Sequence, residues 1–455
     1  MNRSKPATGE ELGAFPSMTA TEASQVVEGA HRAFAHWSTT ALDERSLLLR
    51  RLASLLRERA PTLALLASRE MGKPTTQGEQ EAEKCAWVCE YYADQGPAFL
   101  APEIVATEAS ASYVHMEPLG LVLAVMPWNF PYWQFFRFAA PALMAGNAVV
   151  LKHASNVPGC ARAIVSLIED AGAPDALVGA VFVEPSEVRS LIEDPRVAAV
   201  TFTGSTKTGR KVAAAAGAAL KKTVLELGGS DPYVVLADAD LVHAAETCVK
   251  ARTINTGQSC IAAKRLIVVS PLKAQFEKLV VEGMKNLKVG NPNDAGTEVG
   301  PMATVSLRDE LHRQVRQSVE AGASLLLGGT VPSEEGAWYP PTVLSNVGRG
   351  MPAYEEELFG PVAAIIEARD DDDAIDIAND TRFGLGAAVF TSNVAKGEAI
   401  AKTRLRAGCC FVNEAVRSDP RLPFGGMRDS GYGRELGRLG IYEFVNPKTI
   451  YVGSK

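Results

Sequence analysis

The sequence predicts an α/β protein with two doubly wound parallel-sheet domains, and its length and apolar pattern are the evidence. At 455 residues the chain is longer than the roughly 300 residues of a large single domain, so at least two domains are expected. From about residue 120, short apolar segments rich in β-branched residues recur, for example at 121–126, 197–202 and 266–269. Helix-length segments such as 159–171 and 207–220 separate several of them. Buried strands alternating with helices are typical of parallel sheets covered on both faces.

The first hundred residues predict packing helices. Thr19 and Glu22 have the spacing of a capping box, and apolar residues at helical intervals follow them. A second helix is expected after Asp43, and Gly72, just before Pro74, ends the helical region. We expect these helices to pack against the rest of the protein, and they carry no evident catalytic or binding motif.

Composition excludes several classes of function. The net charge is −7, from 46 basic and 53 acidic residues, and no long basic run suggests nucleic-acid binding. The longest apolar region, 138–151, contains Pro141 and Gly146 and is shorter than the roughly 20 residues of a membrane span. The polar N-terminus lacks an apolar segment of signal type, so a cytoplasmic protein is expected. Seven scattered cysteines and six histidines predict neither a disulfide framework nor a metal site.

Two reactive side chains stand in short polar or glycine-containing segments. Cys260 ends the loop Asn255-Thr-Gly-Gln-Ser-Cys, although a cysteine in a large protein is more often a small buried apolar residue. Glu226 ends a predicted strand just before Gly228 and Gly229. A solvated loop carboxylate is the commoner interpretation of such a Glu, but the paired glycines indicate the close approach of another group.

Two further strand ends carry polar groups. Asn129 lies between Pro127 and Pro131, and an amide held in this way could donate to a developing oxyanion or simply stabilise a turn. Gly204 and Ser205 join a strand to a helix, whose first N–H groups could bind a pyrophosphate. An ordinary helix cap has the same pattern, and no G-x-G-x-x-G motif is present here.

Together these segments resemble one family over nearly the whole chain. The segments Pro127-Trp-Asn-Phe-Pro131, Phe202-Thr-Gly-Ser205, Glu226-Leu-Gly-Gly229, Gly257-Gln-Ser-Cys260, Glu357-Leu-Phe-Gly-Pro361 and Pro423-Phe-Gly-Gly426 follow the order and approximate spacing of the aldehyde dehydrogenase superfamily. The surrounding sequence is most similar to the bacterial succinate-semialdehyde dehydrogenase branch. The implied activity is NAD(P)-dependent oxidation of an aldehyde to a carboxylic acid, with succinate semialdehyde as the first candidate substrate.

The resemblance assigns catalytic roles to three residues. It implies that Cys260 attacks the aldehyde, while its own backbone N–H and the Asn129 amide stabilise the oxyanion. It implies that Glu226 activates the water that hydrolyses the thioester. Members that pass the acyl group to coenzyme A generally lack this Glu, so its presence favours release of the free acid.

The resemblance also implies a nicotinamide dinucleotide site. Its residues would be Trp128, Lys152, Ser155, Gly204, Ser205, Glu357 and Phe359. A carboxylate at position 155 would accept the 2′-hydroxyl of NAD and repel the 2′-phosphate of NADP. Ser155 is neutral, and Lys152 is a cation, so NADP is slightly favoured although NAD can also bind.

Substrate recognition is assigned by position and leaves alternatives open. Arg137 stands eight residues after Asn129, where an arginine in the resembled branch binds the substrate's distal carboxylate. The alternative is a helix arginine paired with a structural acid. A second arginine found six residues before the cysteine in some members is Ile254 here, and Arg417 and Ser418 are the proposed replacements. Glutarate semialdehyde or a general aliphatic aldehyde are alternative substrates.

The resemblance predicts the following domain arrangement. A dinucleotide-binding domain would comprise 1–104 and 120–227, and a catalytic domain would comprise 228–439. A small sheet from 105–119 and 440–455 would serve oligomerisation, so a homodimer or homotetramer is expected. A non-catalytic protein of the same fold is the remaining alternative, and it should lack at least one chemical residue. Asn129, Glu226, Cys260 and Glu357 are all present.

Overall fold

The computed structural model describes residues 4–453, and their strands form two large sheets and one small sheet. The predicted segment 1–104 therefore has its first three residues, and 440–455 its last two, outside the described residues. In chain order the strands are β1 (Glu103–Ile104), β2 (Ala111–Pro118), β3 (Leu121–Met126), β4 (Ala148–His153), β5 (Val178–Ala180), β6 (Val197–Thr203), β7 (Lys222–Glu226), β8 (Asp231–Val235), β9 (Ala263–Val269), β10 (Ser324–Leu327), β11 (Thr342–Ser345), β12 (Val362–Ala368), β13 (Gly386–Phe390), β14 (Cys409–Val412), β15 (Gly431–Tyr432) and β16 (Val445–Val452).

Helices cover both large sheets. In chain order they are α1 (Ala20–Trp37), α2 (Leu42–Glu58), α3 (Ala60–Met71), α4 (Thr75–Leu100), α5 (Trp133–Ala145), α6 (Pro158–Asp170), α7 (Val188–Glu193), α8 (Thr206–Ala218), α9 (Leu241–Thr253), α10 (Lys273–Lys285), α11 (Val305–Glu320), α12 (Pro352–Glu355), α13 (Asp371–Asn379), α14 (Val394–Thr403) and α15 (Gly437–Tyr442). The capping box expected at Thr19 and Glu22 starts α1, and Gly72 ends α3 in a left-handed conformation. Within residues 4–453, no helix is long and apolar enough to cross a membrane.

The first large sheet has the order β15-β7-β6-β3-β4-β5. Its pairs are parallel except for β15 with β7. The chain leaves β3 toward β4 and β5 on one side, then returns to place β6 and β7 on the other side. Such a reversal creates a crevice at the carboxyl ends of the strands, where dinucleotides bind in doubly wound folds.

The second large sheet has the order β10-β11-β12-β9-β8-β13-β14 and is parallel except at β10 with β11. Its core is built from apolar side chains on both faces, among them Val234, Ile267 and Ile365. The predicted α/β fold of two doubly wound sheets is therefore confirmed. The residue boundaries between the domains stay a prediction.

The small sheet is antiparallel, with the order β1-β2-β16. Strand β16 pairs with β2 along its whole length, from Val445 opposite Pro118 to Val452 opposite Ala111. The small sheet therefore lies where the sequence predicted an oligomerisation element. Its role in assembly stays a prediction.

Candidate active site

The ends of neighbouring strands bring the sequence motifs together. Strand β3 leads into the Asn129 turn, β7 ends at Glu226, and β6 leads through Gly204 into α8. Cys260 lies in the connection between α9 and β9 of the second sheet. Parallel strands present their carboxyl ends at one edge, so the shared edge explains why motifs far apart in sequence meet.

The loop before Cys260 has an unusual backbone. Asn255, Thr256 and Gly257 all adopt left-handed conformations, with φ of 54°, 57° and 72°. For a non-glycine residue such a conformation costs of order 1–3 kcal/mol and persists only where surrounding contacts hold it. One such contact runs from Arg252 Nη2 to the carbonyl oxygen of Gly257, at 2.5 Å.

Asn129 contacts this same loop. Its Nδ2 donates to the carbonyl oxygen of Gln258 at 3.1 Å, while Asn255 Nδ2 donates to the carbonyl oxygen of Asn129 at 2.7 Å. The predicted oxyanion donor is therefore held against the loop that carries the predicted nucleophile. Its amide donates to protein here, and its role toward a substrate stays a prediction.

A buried lysine, Lys264, connects the nucleophile to the predicted cofactor residues. Its Nζ donates to the carbonyl oxygens of Cys260 at 2.7 Å and Ser259 at 2.8 Å, and lies 3.1 Å from Glu357 Oε1. Burial raises the pKa of the Cys260 thiol to about 12, whereas the charges of Arg137 and Lys264 oppose that rise. No local motif marked Lys264, because its importance comes from the fold around it.

Gly228 and Gly229 let two site residues approach the backbone closely. A Cβ on Gly228 would lie 2.5 Å from Glu357 Oε2, and one on Gly229 would lie 2.6 Å from the carbonyl oxygen of Cys260. The amide of Gly229 also donates to Glu357 Oε1 at 3.1 Å. The sequence predicted a close approach at these glycines, and the structure identifies Glu357 and Cys260 as the approaching groups.

Glu226 belongs to a buried cluster of charges with Arg137, Glu435 and Arg434. Its side chain is 2% exposed, and burial together with the nearby Glu435 carboxylate raises its pKa well above the usual value, while Arg137 and Arg434 lower it. Arg137 forms an ion pair with Glu435, and its Nη2 donates to Thr203 Oγ1 at 3.3 Å. Neither oxygen of Glu226 has a hydrogen-bond partner among the described residues.

A cavity of about 1010 Å³ opens at the carboxyl ends of β3, β4 and β6. Five of the predicted cofactor residues line it: Trp128, Lys152, Ser155, Gly204 and Ser205. Ser205 is the N-cap of α8, so the positive end of that helix faces the cavity. Burial lowers the pKa of Lys152, and the charge of Glu184, which also lines the cavity, opposes this shift. The volume and donor set fit a dinucleotide.

The two other predicted cofactor residues lie beside this cavity and do not line it. The ring of Phe359 meets that of Trp128 edge to face, with centroids 5.8 Å apart. Glu357 is held by Gly229 and Lys264 as described above. Both residues thus contact the wall between the cavity and the Cys260 loop.

The three predicted substrate residues occupy different environments. Arg137 is 2% exposed and paired with Glu435, which is the structural alternative considered for it. Ser418 is buried and accepts a hydrogen bond from Lys84 Nζ at 2.8 Å. Arg417, directly before Ser418 in the chain, is exposed and pairs with Glu414 at 3.1 Å.

Sequence reasoning missed Lys84, Lys264 and the partner of Arg137. Lys84 lies within α4, which the sequence marked only as packing structure, and no neighbouring motif distinguishes it. Glu435 ends the segment Ser430-Gly-Tyr-Gly-Arg-Glu435, and no local pattern there assigns a role to its carboxylate. Among residues 4–453 no three metal-ligating side chains cluster, and all seven cysteines are free.

Comparisons with known proteins agree with this arrangement. The model of the aldehyde dehydrogenase family matches residues 1–450. The chain therefore belongs to the aldehyde dehydrogenase family, as its motifs predicted.

The names of similar proteins also state a substrate. A succinate semialdehyde dehydrogenase [NAD(P)+] of Escherichia coli is 45% identical, over 98% of this chain and 96% of the relative. A succinate-semialdehyde dehydrogenase [NADP(+)] of Mycobacterium avium is 46% identical, over 99% and 96%. The crystal structure of succinic semialdehyde dehydrogenase from Streptococcus pyogenes, in complex with NADP+, is 36% identical, covers both chains completely and gives a TM-score of 0.96.

Proposed function

We propose that this protein oxidises succinate semialdehyde to succinate with NADP, through a thioester on Cys260. The observation that carries the proposal is the meeting of a half-buried cysteine, a buried carboxyl group and a dinucleotide-sized cavity at one edge of two sheets. The named activity of relatives about 45% identical over nearly the whole chain supports the choice of substrate.

The chemistry follows from the roles of three side chains. The Cys260 thiolate adds to the aldehyde carbon, forming a C–S bond, and the resulting oxyanion accepts hydrogen bonds from the Asn129 amide and the Cys260 backbone. When bound, the cofactor supplies a nicotinamide ring that accepts the hydride lost from that carbon. Water then adds to the thioester, Glu226 takes its proton, and Cys260 leaves as the acid is released.

The surroundings of Glu226 make its carboxylate a stronger base than a solvated Glu. Its burial and the neighbouring Glu435 raise its pKa, so the carboxylate holds a proton more strongly than a solvated Glu does. A base with a raised pKa accepts a proton from water more readily than one at the ordinary value. The charges of Arg137 and Arg434 oppose this rise in pKa and favour the ionised form.

Cofactor choice rests on the charges around the cavity. Lys152, Lys211 and Arg189 line it together with one acid, Glu184, whose Oε1 accepts a hydrogen bond from Ser17 Oγ at 3.4 Å. Position 155 is a neutral serine. This balance favours the additional 2′-phosphate of NADP. NAD can bind as well, because a neutral serine at position 155 does not exclude its 2′-hydroxyl. The names of the mycobacterial relative and of the streptococcal complex point to the same cofactor.

The proposal extends to assembly and location. The small antiparallel sheet exposes Tyr451 and Val452 on β16, and unpaired strand edges of this kind favour contact with a second copy. We therefore propose a homodimer or homotetramer working in the cytoplasm. Sedimentation measurements on the purified chain would test the oligomeric state.

The experiment that tests the function is a set of initial rates. NADPH and NADH formation would be followed with succinate semialdehyde, glutarate semialdehyde and hexanal, beside a Cys260→Ala control. A preference for succinate semialdehyde that disappears in the control supports the proposal. Activity mainly on hexanal would overturn the substrate assignment, and activity without Cys260 would overturn the mechanism.

A further inference from the structure

Lys84, in the middle of α4, is a cation without an acidic partner beside the predicted substrate residues. Among residues 4–453 no carboxylate lies within ion-pair distance of it. Its Nζ donates to Ser418 Oγ at 2.8 Å and lies 4.3 Å from the centre of the Trp133 ring. An ammonium group has three N–H donors, so two remain for another acceptor.

Three cations near Lys84 already have acidic partners. Arg137 pairs with Glu435, Lys73 with Glu81, and Arg421 with Asp419 at 2.7 Å. Among residues 4–453, Arg434 likewise forms no ion pair, but its Nη1 donates to the carbonyl oxygens of Gly426 and Gly433. Lys84 is therefore the neighbouring cation with donors left for an additional anion. The charge balance makes Lys84, and not Arg137, the group that such an anion would neutralise.

The ammonium group of Lys84 is partly desolvated. The Lys84 side chain is half-buried, and its desolvation together with the charge of Arg137 lowers its pKa to about 8. A partly desolvated ammonium group gains from binding an anion, because the anion replaces the lost hydration. Ser418 and Trp133 beside it are both 4% exposed, so they hold the ammonium group in a fixed place.

This place is electrostatically connected to the reacting thiol. Trp133 and Arg137 are four residues apart and face the same side of α5, which follows directly after Asn129. The positive charge of Arg137 lowers both the pKa of Lys84 and that of the Cys260 thiol. Lys84 on α4 and Cys260 in the connection before β9 therefore both lie within electrostatic reach of Arg137.

We propose that Lys84 Nζ and Ser418 Oγ bind the distal carboxylate of the semialdehyde. Lys84 thereby takes the place of the second arginine whose position is Ile254 in this chain. This inference rests on the proposed function, since it concerns the carboxylate of that substrate. It makes Lys84 a specificity-determining residue that distinguishes semialdehydes from uncharged aldehydes of equal length.

The test compares succinate semialdehyde with butanal, which has the same chain length and no carboxylate. Lys84→Met should raise KM for succinate semialdehyde by about 10- to 100-fold, as expected when a hydrogen bond to a charged group is lost. It should leave the kinetics with butanal nearly unchanged. Lys84→Arg should retain most of the preference because it keeps the charge. Lys285→Met, on the exposed surface of α10, is the matched control for loss of one lysine.

A pH profile supplies a second readout that does not depend on the methionine variant folding. The ratio of KM for succinate semialdehyde to KM for butanal should rise above about pH 8 in the unmodified protein, as Lys84 loses its proton. The groups that influence this titration are Arg137 on α5, Asp419 on the facing loop, and Glu81 and Cys85 on α4. In Lys84→Arg the ratio should stay flat, since arginine does not titrate in this range.

The outcomes separate this inference from the function on which it rests. If the unmodified protein prefers succinate semialdehyde and Lys84→Met retains that preference, Lys84 is not the carboxylate ligand. A flat pH profile in the unmodified protein leads to the same conclusion. If the unmodified protein shows no preference over butanal, the proposed substrate is wrong and this inference falls with it.

Discussion

Replacing Arg137 with leucine would remove the positive charge that acts most strongly on two buried acids, Glu226 and Glu435. Both side chains are 2% exposed. Removing one partner of a buried ion pair costs about 3–5 kcal/mol, because the remaining charge stays desolvated. We therefore expect Arg137→Leu to lower the thermal midpoint of unfolding at pH 8.

The size of this loss should depend on pH. Without Arg137 the folded-state pKa values of Glu226 and Glu435, already raised by burial, rise further above their unfolded values. A carboxyl group of this kind is neutral below its unfolded pKa and destabilises the fold as pH rises through the folded pKa. The difference in thermal midpoint between Arg137→Leu and the unmodified protein should therefore increase from pH 5 to pH 8.

A double variant identifies the cause. Arg137→Leu with Glu435→Leu replaces the pair by apolar side chains, a change that is often neutral or stabilising for a buried pair. It should be more stable than Arg137→Leu alone at pH 8. Equal midpoints for the single and double variants, or a single variant as stable as the unmodified protein, would refute a structural ion pair. KM for succinate semialdehyde in the stable double variant then tests directly whether Arg137 also binds substrate.

Three further predictions concern the chemistry. Lys264→Met should slow alkylation of Cys260 by iodoacetamide at pH 8, because a charge that lowers the thiol pKa is lost. Lys278→Met, on the exposed surface of α10, is the control. Equal alkylation rates in Lys264→Met and the unmodified protein would contradict the reasoning. Ser155→Glu should raise KM for NADP by at least about tenfold and leave KM for NAD nearly unchanged, whereas Ser155→Ala should change neither KM greatly. An equal rise in KM for both cofactors in Ser155→Glu would argue against a 2′-phosphate site here. Glu226→Gln should retain a burst of about one NADPH per site and lose steady turnover. In the unmodified protein, turnover should fall as pH decreases through a pKa well above that of a solvated Glu, and a pH-independent rate down to pH 5 would exclude Glu226 as the base.

Much of the candidate site could be predicted from the sequence, because each of its motifs is a short continuous segment at the end of a strand. Asn129, Gly204 and Glu226 each lie at or just after the end of a buried strand, and the carboxyl ends of parallel strands share one edge. The apolar pattern that predicts the strands thus also predicts that these groups meet. The paired glycines, Gly228 and Gly229, likewise indicated a close approach without naming the group that approaches.

Only the tertiary structure decided which charged side chains form ion pairs and that Lys84 has no acidic partner among residues 4–453. The sequence favoured substrate binding by Arg137 and kept a structural acid as the alternative, and the fold places Glu435 against it. Lys84 and Ser418 are 334 positions apart, and neither periodicity nor a local motif connects them. The sequence by itself determined the sheets, the nucleophile loop and the family, since those depend on short-range patterns. Electrostatic pairing depends on distance and burial in three dimensions, so it exists only once α4, α5 and the Ser418 loop have packed together.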